Sequence, residues 1–288
     1  MVQWQRAPER NYLVKGTIAS GVAAVCLAVR FAAAQSPDSS TAQKTFFVPR
    51  DGVIAAGFLA ASAGLSIFDV RIAHWFQDTS LSHVKKGQQL DDIFTHVNET
   101  TLTVGGLIVY GVAKVTKANN VADVAFHVAE SVAAASLTAQ IIRGPLGRTR
   151  PDSATPPYDD QYEFRFMKGF THFSQRAFPS IHSSSGFAAA SALTAEIKRR
   201  DPGAVWFVAV PAYALALTPG LSRMYLGQHW ASDILSGAFL GTFYGWRIVD
   251  YSHEHPTTKI DRIFLGSVKH ARITPERGGF AVSWNAAF

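Results

Sequence analysis

Ser222-Arg223, then His229, then Asp233 set a guanidinium, an imidazole and a carboxylate at a spacing suited to histidine-based phosphoryl transfer. If the chain is helical from His229 onward, His229 and Asp233 form an i, i+4 pair on one face. The carboxylate can then hold one ring nitrogen while the other attacks phosphorus. Pro219-Gly220 reads as a turn, which predicts Arg223 on a loop beside the ring. The planar fork of an arginine matches the oxygens of a phosphate. Upstream, Arg143 and Arg150-Pro151 bracket six residues, and Pro179-Ser180-Ile181-His182 lies between the two sites. On residue type alone, Pro179 to His182 also reads as a helix start capped by Ser180. Arg148, between the two arginines, reads as a solvated loop charge or as a further contact to the anion.

In this order the three stretches resemble the motifs K-x6-R-P, P-S-G-H and S-R-x5-H-x3-D. These mark the superfamily of type 2 phosphatidic acid phosphatases, bacterial class A acid phosphatases and vanadium haloperoxidases. The third motif matches at every fixed position. Arg143 stands where the pattern has Lys, which keeps the charge and adds a bidentate grip. Ile181 stands where it has Gly, so its N–H can face a phosphate oxygen only if the residue avoids positive φ, which a β-branched side chain strongly disfavours. The resemblance implies that His229 is the nucleophile, Asp233 its orienting partner, and His182 first the acid for the leaving oxygen and then the base for water. It also implies that Arg143, Arg150, Arg223, Ser180 and the N–H of Ile181 cradle the phosphate oxygens. Phosphoryl transfer mainly needs in-line positioning and neutralised charge on those oxygens, which three guanidiniums can supply. No metal and no cofactor are implied, and vanadate should bind as a phosphate analogue. The implied activity is metal-independent hydrolysis of a phosphomonoester or pyrophosphate, carried by a lipid such as phosphatidic acid or a polyprenyl pyrophosphate if the protein lies in a bilayer. A soluble exported acid phosphatase, a vanadium haloperoxidase and a non-catalytic phosphate-binding membrane protein remain as alternatives. The two-histidine scheme predicts a bell-shaped pH profile.

Apolar segments at 52–68, 100–113, 121–142, 183–197, 204–219 and 231–248 must position these residues. They predict an all-α bundle of about six core helices. The first motif follows the third helix, the second opens the fourth, and the third lies between the fifth and sixth, as in the integral-membrane branch of the family. Lys114, Lys117, Lys198 to Arg200, Lys259 and Arg262 fall on the side opposite the motifs, which the positive-inside rule makes cytoplasmic. Two features point the other way. Several segments have fewer uninterrupted apolar residues than the roughly 20 needed to span, and Asp123, His127 and Glu130 break the third. Met1 to Ala34 has the layout of a signal peptide or signal anchor, with basic residues, an apolar run and Ala32-Ala33-Ala34. Cleavage would put residue 35 outside, against the parity of a six-helix span. The expected location is therefore the inner membrane with a periplasm-facing site, or the periplasm itself. The chain divides into this segment, a helical phosphatase domain over 35–254 and a tail over 255–288.

The net charge is +6, and removing 1–34 takes away four basic groups and one acidic, leaving +3. With no basic stripe interleaved with aromatics, nucleic acid is not an expected partner; a lipid bilayer and a phosphorylated lipid or small phosphomonoester are. The single cysteine, Cys26, lies in the export segment and excludes a disulfide or thiol chemistry beyond it. The other histidines have no zinc-type spacing and read as ordinary hydrogen-bonded or exposed side chains. Between Gly144 and Phe178, seven aromatic residues lie close to the arginines, as a lid or as the loop's own small core. Phe68 to Phe76 reads as an amphipathic connector without a catalytic role. A turn at Pro275 to Gly279 followed by alternation over Phe280 to Trp284 predicts a short β-hairpin in the tail.

Overall fold

The structure, a computed structural model, describes residues 45–78, 94, 96–255, 259–264, 271–276 and 279–284. Residues 1–34 with Cys26, expected to be a signal peptide or signal anchor, lie outside them, as do His83 and His270. Gln43–Phe288 forms one compact unit. Its helices are α1 (Pro49–Ser66), α2 (Asp69–Asp78), α3 (Glu99–Val115), α4 (Asn119–Leu146), α5 (Ile181–Arg200), α6 (Val205–Tyr225), α7 (Ala231–Glu254) and α8 (Lys259–Phe264). A terminal hairpin pairs β1 (Ala271–Glu276) with β2 (Gly279–Trp284), in register from Ala271 opposite Trp284 to Glu276 opposite Gly279. The all-α bundle and its hairpin are thus observed.

Helix α5 is the hub, packed against α7, α6 and α4, while α3 lies on α4 and α1 on α7. Contact between α5 and α7 is close because small residues line it. A Cβ on Gly237 would sit 2.2 Å from the carbonyl oxygen of Ser180, and one on Gly241 2.2 Å from that of Ser184. Their absence lets the two backbones approach, and Ser180 N–H donates to the carbonyl of Asp233 at 3.0 Å. The starts of α5 and α7, which carry the second and third motifs, are thereby locked together.

The interior of the bundle is largely Ala, Ser and Gly, whereas large apolar side chains face outward, among them Ile108 and Val112 on α3, Leu137 and Ile141 on α4, and Phe207 and Val210 on α6. Such an inverted distribution suits lipid, where helices associate through small residues rather than by hiding apolar ones. Among the described residues, α4 and α6 are long and apolar enough to cross a membrane, and the bent pair α1 and α2, at 56°, would make a third. The polar residues that break α4 do not face outward on it: His127 is 2% exposed and meets the carboxylate of Glu196, and Asp123 lies 3.6 Å from Arg200.

Candidate functional site

Gly147 closes α4 in the left-handed conformation, φ 60°, with its N–H on the carbonyl of Arg143 at 3.2 Å. A side chain there would drive a Cβ to 1.9 Å from the carbonyl oxygen of Arg165, so glycine is required for the turn that follows. Arg143 therefore sits in the last turn of α4, and Arg150 just beyond it caps a 3-10 turn at Pro151–Ser153. Both guanidiniums are buried, and Nε and Nη1 of each have no hydrogen-bond partner among the described residues. Unpaired buried donors are costly unless a ligand answers them.

Arg223 completes the set from a place the sequence did not suggest. Pro219 and Gly220 do not make a turn: α6 continues through both, and Arg223 lies in its last turn. Proline removes only one helical bond, and Gly220 is needed for contact, since a Cβ there would lie 2.8 Å from Ile234. Arg223 Nη1 donates to Gln228 Oε1 at 2.6 Å, and Nη2 is 2.8 Å from His182 Nε2. A guanidinium only donates, so His182 Nε2 accepts and the ring carries its proton on Nδ1. The arginines feel one another: burial, then the charge of Arg143, with Arg223 adding to it, pushes Arg150 down to about 10.

At the second motif, Ser180 is the N-cap of α5, accepting from Ser183 N–H at 3.4 Å, and is completely buried. The reading of Pro179 to His182 as a capped helix start holds, and it leaves the hydroxyl proton of Ser180 available. Ile181 takes the first helical position and is absent from the residues with positive φ. The isoleucine thus fits the backbone that the pattern's glycine would occupy, with its side chain buried in the bundle.

His229 and Asp233 are not stacked on a helix face. Trp230 is the N-cap of α7, so His229 precedes the helix and Asp233 occupies its third position. His229 Nδ1 lies 3.6 Å from Asp233 Oδ2, an ion-pair distance rather than a hydrogen bond, and Oδ2 accepts from Trp230 N–H at 2.8 Å. Burial lowers His229 to about 4, with Arg150 and Arg143 adding to that and Asp233 opposing it. Its ring is neutral, and hence nucleophilic, near pH 7.

Arg148 is not a solvated charge. It is 3% exposed, and its Nη1 donates to Asp233 Oδ1 at 2.6 Å and to Ser232 Oγ at 2.8 Å, while Nη2 donates to Asp69 Oδ2 at 2.8 Å. Burial opposes its charge, but Asp233 and Asp69 more than offset this and hold its pKa above the usual arginine value. Asp69, at the start of the connector α2, is fully buried and also accepts from Ser232 N–H at 2.9 Å, so that helix anchors the site. No spacing in the sequence links residues 69, 148 and 233. The lone signal was an acidic residue opening an amphipathic helix.

The loop between α4 and α5 covers this end of the bundle. Trp230 Nε1 donates to the carbonyl of Thr149 at 2.9 Å, and Trp230 packs with Ala73, Ala154 and Ala177. Of the loop's own rings, Tyr158 joins this cluster, but most stay outside it. Tyr162, Phe164, Phe166, Phe170 and Phe173 are exposed, and Phe173 lies under Arg150 with its ring centroid 3.7 Å from the guanidinium carbon. His74, 2.7 Å from Asp159, and His172, 2.7 Å from Thr171, are ordinary partnered histidines.

One end of a helical bundle therefore gathers three buried arginines beside a neutral imidazole backed by a clamped carboxylate. Residues 124–256 match the family model of the PAP2 superfamily. A lipid A 1-phosphatase of Porphyromonas gingivalis is 38% identical over 69 residues, 24% of this chain and 15% of the relative. A lipid A 4'-phosphatase of Bacteroides thetaiotaomicron is 28% identical over 116 residues, 39% of this chain and 46% of the relative. A lipid A 1-phosphatase of Rhizobium etli is 30% identical over 118 residues, 40% and 44% respectively. The chain spans less than half the length of each of these relatives. Among solved structures, a transmembrane PAP2-type phosphatidylglycerolphosphate phosphatase from Bacillus subtilis aligns at 17% identity and a TM-score of 0.36, covering 69% of this chain and 98% of that one.

Proposed function

We propose that this protein is a membrane-embedded lipid phosphatase that works through a phosphohistidine on His229 without a metal at the phosphate site. The observation that carries this is the set of unanswered buried donors on Arg143 and Arg150 next to Arg223, His182 and His229. The arginines, with Ser180 and the N–H of Ile181, hold the equatorial oxygens of the phosphate. His229 Nε2 attacks phosphorus in line as Asp233 takes the growing positive charge at Nδ1. His182 delivers a proton to the leaving oxygen, then removes one from the water that splits the phosphohistidine. His182 must gain a proton for the first step, and the substrate's negative charge supplies the reason: a phosphate oxygen draws Arg223 away from Nε2, and the dianion favours the imidazolium. The apolar outer faces of α3, α4 and α6 support a bilayer setting, and Lys114, Lys117 and Lys198 to Arg200, at the end away from the site, support a site facing the periplasm. Relatives named for lipid A support a lipid-borne phosphate as the substrate class, alongside phosphatidic acid and polyprenyl pyrophosphate.

The test is phosphate release by detergent-solubilised protein in EDTA, from lipid A, phosphatidic acid and a small soluble phosphomonoester, with vanadate as inhibitor and His229→Ala as control. Turnover that EDTA spares, vanadate blocks and His229→Ala abolishes is the expected result. Turnover that survives His229→Ala, or that EDTA removes from protein still folded in a parallel thermal melt, refutes the mechanism. Preference for the soluble ester refutes the lipid assignment, and bromide oxidation by peroxide with vanadate would point to a haloperoxidase instead.

A further inference from the structure

The phosphate site uses one end of α4, α5 and α7. At the other end the same three helices bring together a second group of metal-ligating side chains. His127 of α4, Glu196 of α5 and His253 of α7 each place one ligand atom within 4.8 Å of the others. The side chain of Glu196 is fully buried and that of His127 is 2% exposed, while His253 at 31% reaches the surface.

The way the carboxylate is shared is informative. Oε1 of Glu196 faces both imidazoles, with His127 Nδ1 in very close contact and His253 Nε2 at 3.0 Å. Oε2 pairs with Arg200 Nη1 and lies 3.2 Å from His253 Nε2. The two rings stand edge to face with centroids 5.4 Å apart. A buried carboxylate needs one strong partner, and Arg200 already provides it. Two further imidazoles from two other helices, aimed at the remaining oxygen, exceed that need. Two imidazole nitrogens and one carboxylate oxygen form a donor set suited to a borderline divalent ion such as zinc. Bond lengths of about 2.0–2.1 Å put tetrahedral ligand atoms roughly 3.3 Å apart, so small side-chain rotations would close the set. Arg200 would then hold the carboxylate in place from its second oxygen.

We propose that His127, Glu196 and His253 bind a zinc-type divalent ion that ties α4, α5 and α7 together. His182 and Glu196 are separated by about 21 Å of helix, so the ion does not touch phosphorus. Its role is structural, and it is independent of the reading of the phosphate site.

The experiment uses full-length, untagged protein in detergent, stripped with chelator and reloaded with zinc or with cobalt(II) as a spectroscopic probe. The expected result is one tightly held zinc per chain, a four-coordinate cobalt spectrum with water as the fourth ligand, and a melting temperature that rises on reloading. In His253→Ala and Glu196→Gln, affinity should fall at least tenfold, about the loss seen when a metal site loses a supporting group, and the zinc-dependent rise in melting temperature should vanish. Wild-type protein that holds no zinc after reloading overturns the proposal. So does stoichiometric zinc that persists in His253→Ala, the surface substitution that decides the matter if Glu196→Gln fails to fold.

Discussion

Replacing Arg148 by Met tests whether the buried clamp positions the nucleophile. The side chains of Arg148, Asp69 and Asp233 are 3%, 0% and 0% exposed, so the substitution leaves two carboxylates buried without their common cation. Removing one partner of a buried pair costs about 3–5 kcal/mol. At roughly 2–4 °C per kcal/mol for a domain of this size, the melting temperature should fall by about 6–20 °C. Activity should fall as well, by a separate route. Asp233 keeps the N–H of Trp230 on Oδ2 but loses the 2.6 Å donor on Oδ1, and so loses its aim at His229 Nδ1. Groups that act through an orienting partner of an imidazole are typically worth roughly 10–100-fold. Phosphate release, measured well below the variant's melting temperature, should show that loss in kcat with little change in KM. Arg148→Lys should fall between, because an ammonium cannot span both carboxylates as a fork does. A variant that melts lower yet keeps wild-type kcat would show the clamp to be purely structural, and unchanged stability together with unchanged activity would refute the reasoning outright.

Nitrogen NMR of histidine-labelled protein, compared with His229→Ala, should find His229 neutral down to pH 5 and protonating near 4, because its lowered pKa extends the neutral form to more acid conditions. Titration near the ordinary value of about 6.5 would contradict the burial and arginine field assigned to it. Ile181→Gly keeps the N–H and deletes a buried side chain, so it should cost about 2–5 kcal/mol in denaturation and change kcat by less than a few-fold. A tenfold gain in kcat would mean that isoleucine impairs the pocket. Gly241→Ala places a Cβ 2.2 Å from the Ser184 carbonyl oxygen and should separate α5 from α7, with loss of activity and a lower melting temperature. Gly57→Ala, in open space on α1, should be neutral or stabilising by up to about 1 kcal/mol; equal effects of the two in parallel thermal melts would refute the packing account.

Helices and motifs were legible because they are local. Apolar periodicity and capping residues act within a few positions, so the six core helices appear close to their predicted ranges, and Ser180 caps α5 as its neighbours suggest. Arg223, His229 and Asp233 could be chosen from residue type and spacing, while Arg143, Arg150 and His182 entered through the resemblance to a family's three motifs. Local signals misled where packing overrode them. Pro219-Gly220 lies inside α6, where Gly220 packs against Ile234, and His229 reaches Asp233 through a capping turn rather than a helix face. Only the tertiary structure could show that Asp69 and Asp233, 164 positions apart, share Arg148, or that His127, Glu196 and His253 meet at the far end of the bundle. Burial decides whether a charge is solvated or must be paired, and burial follows from how helices distant in sequence pack, which no spacing within one segment records.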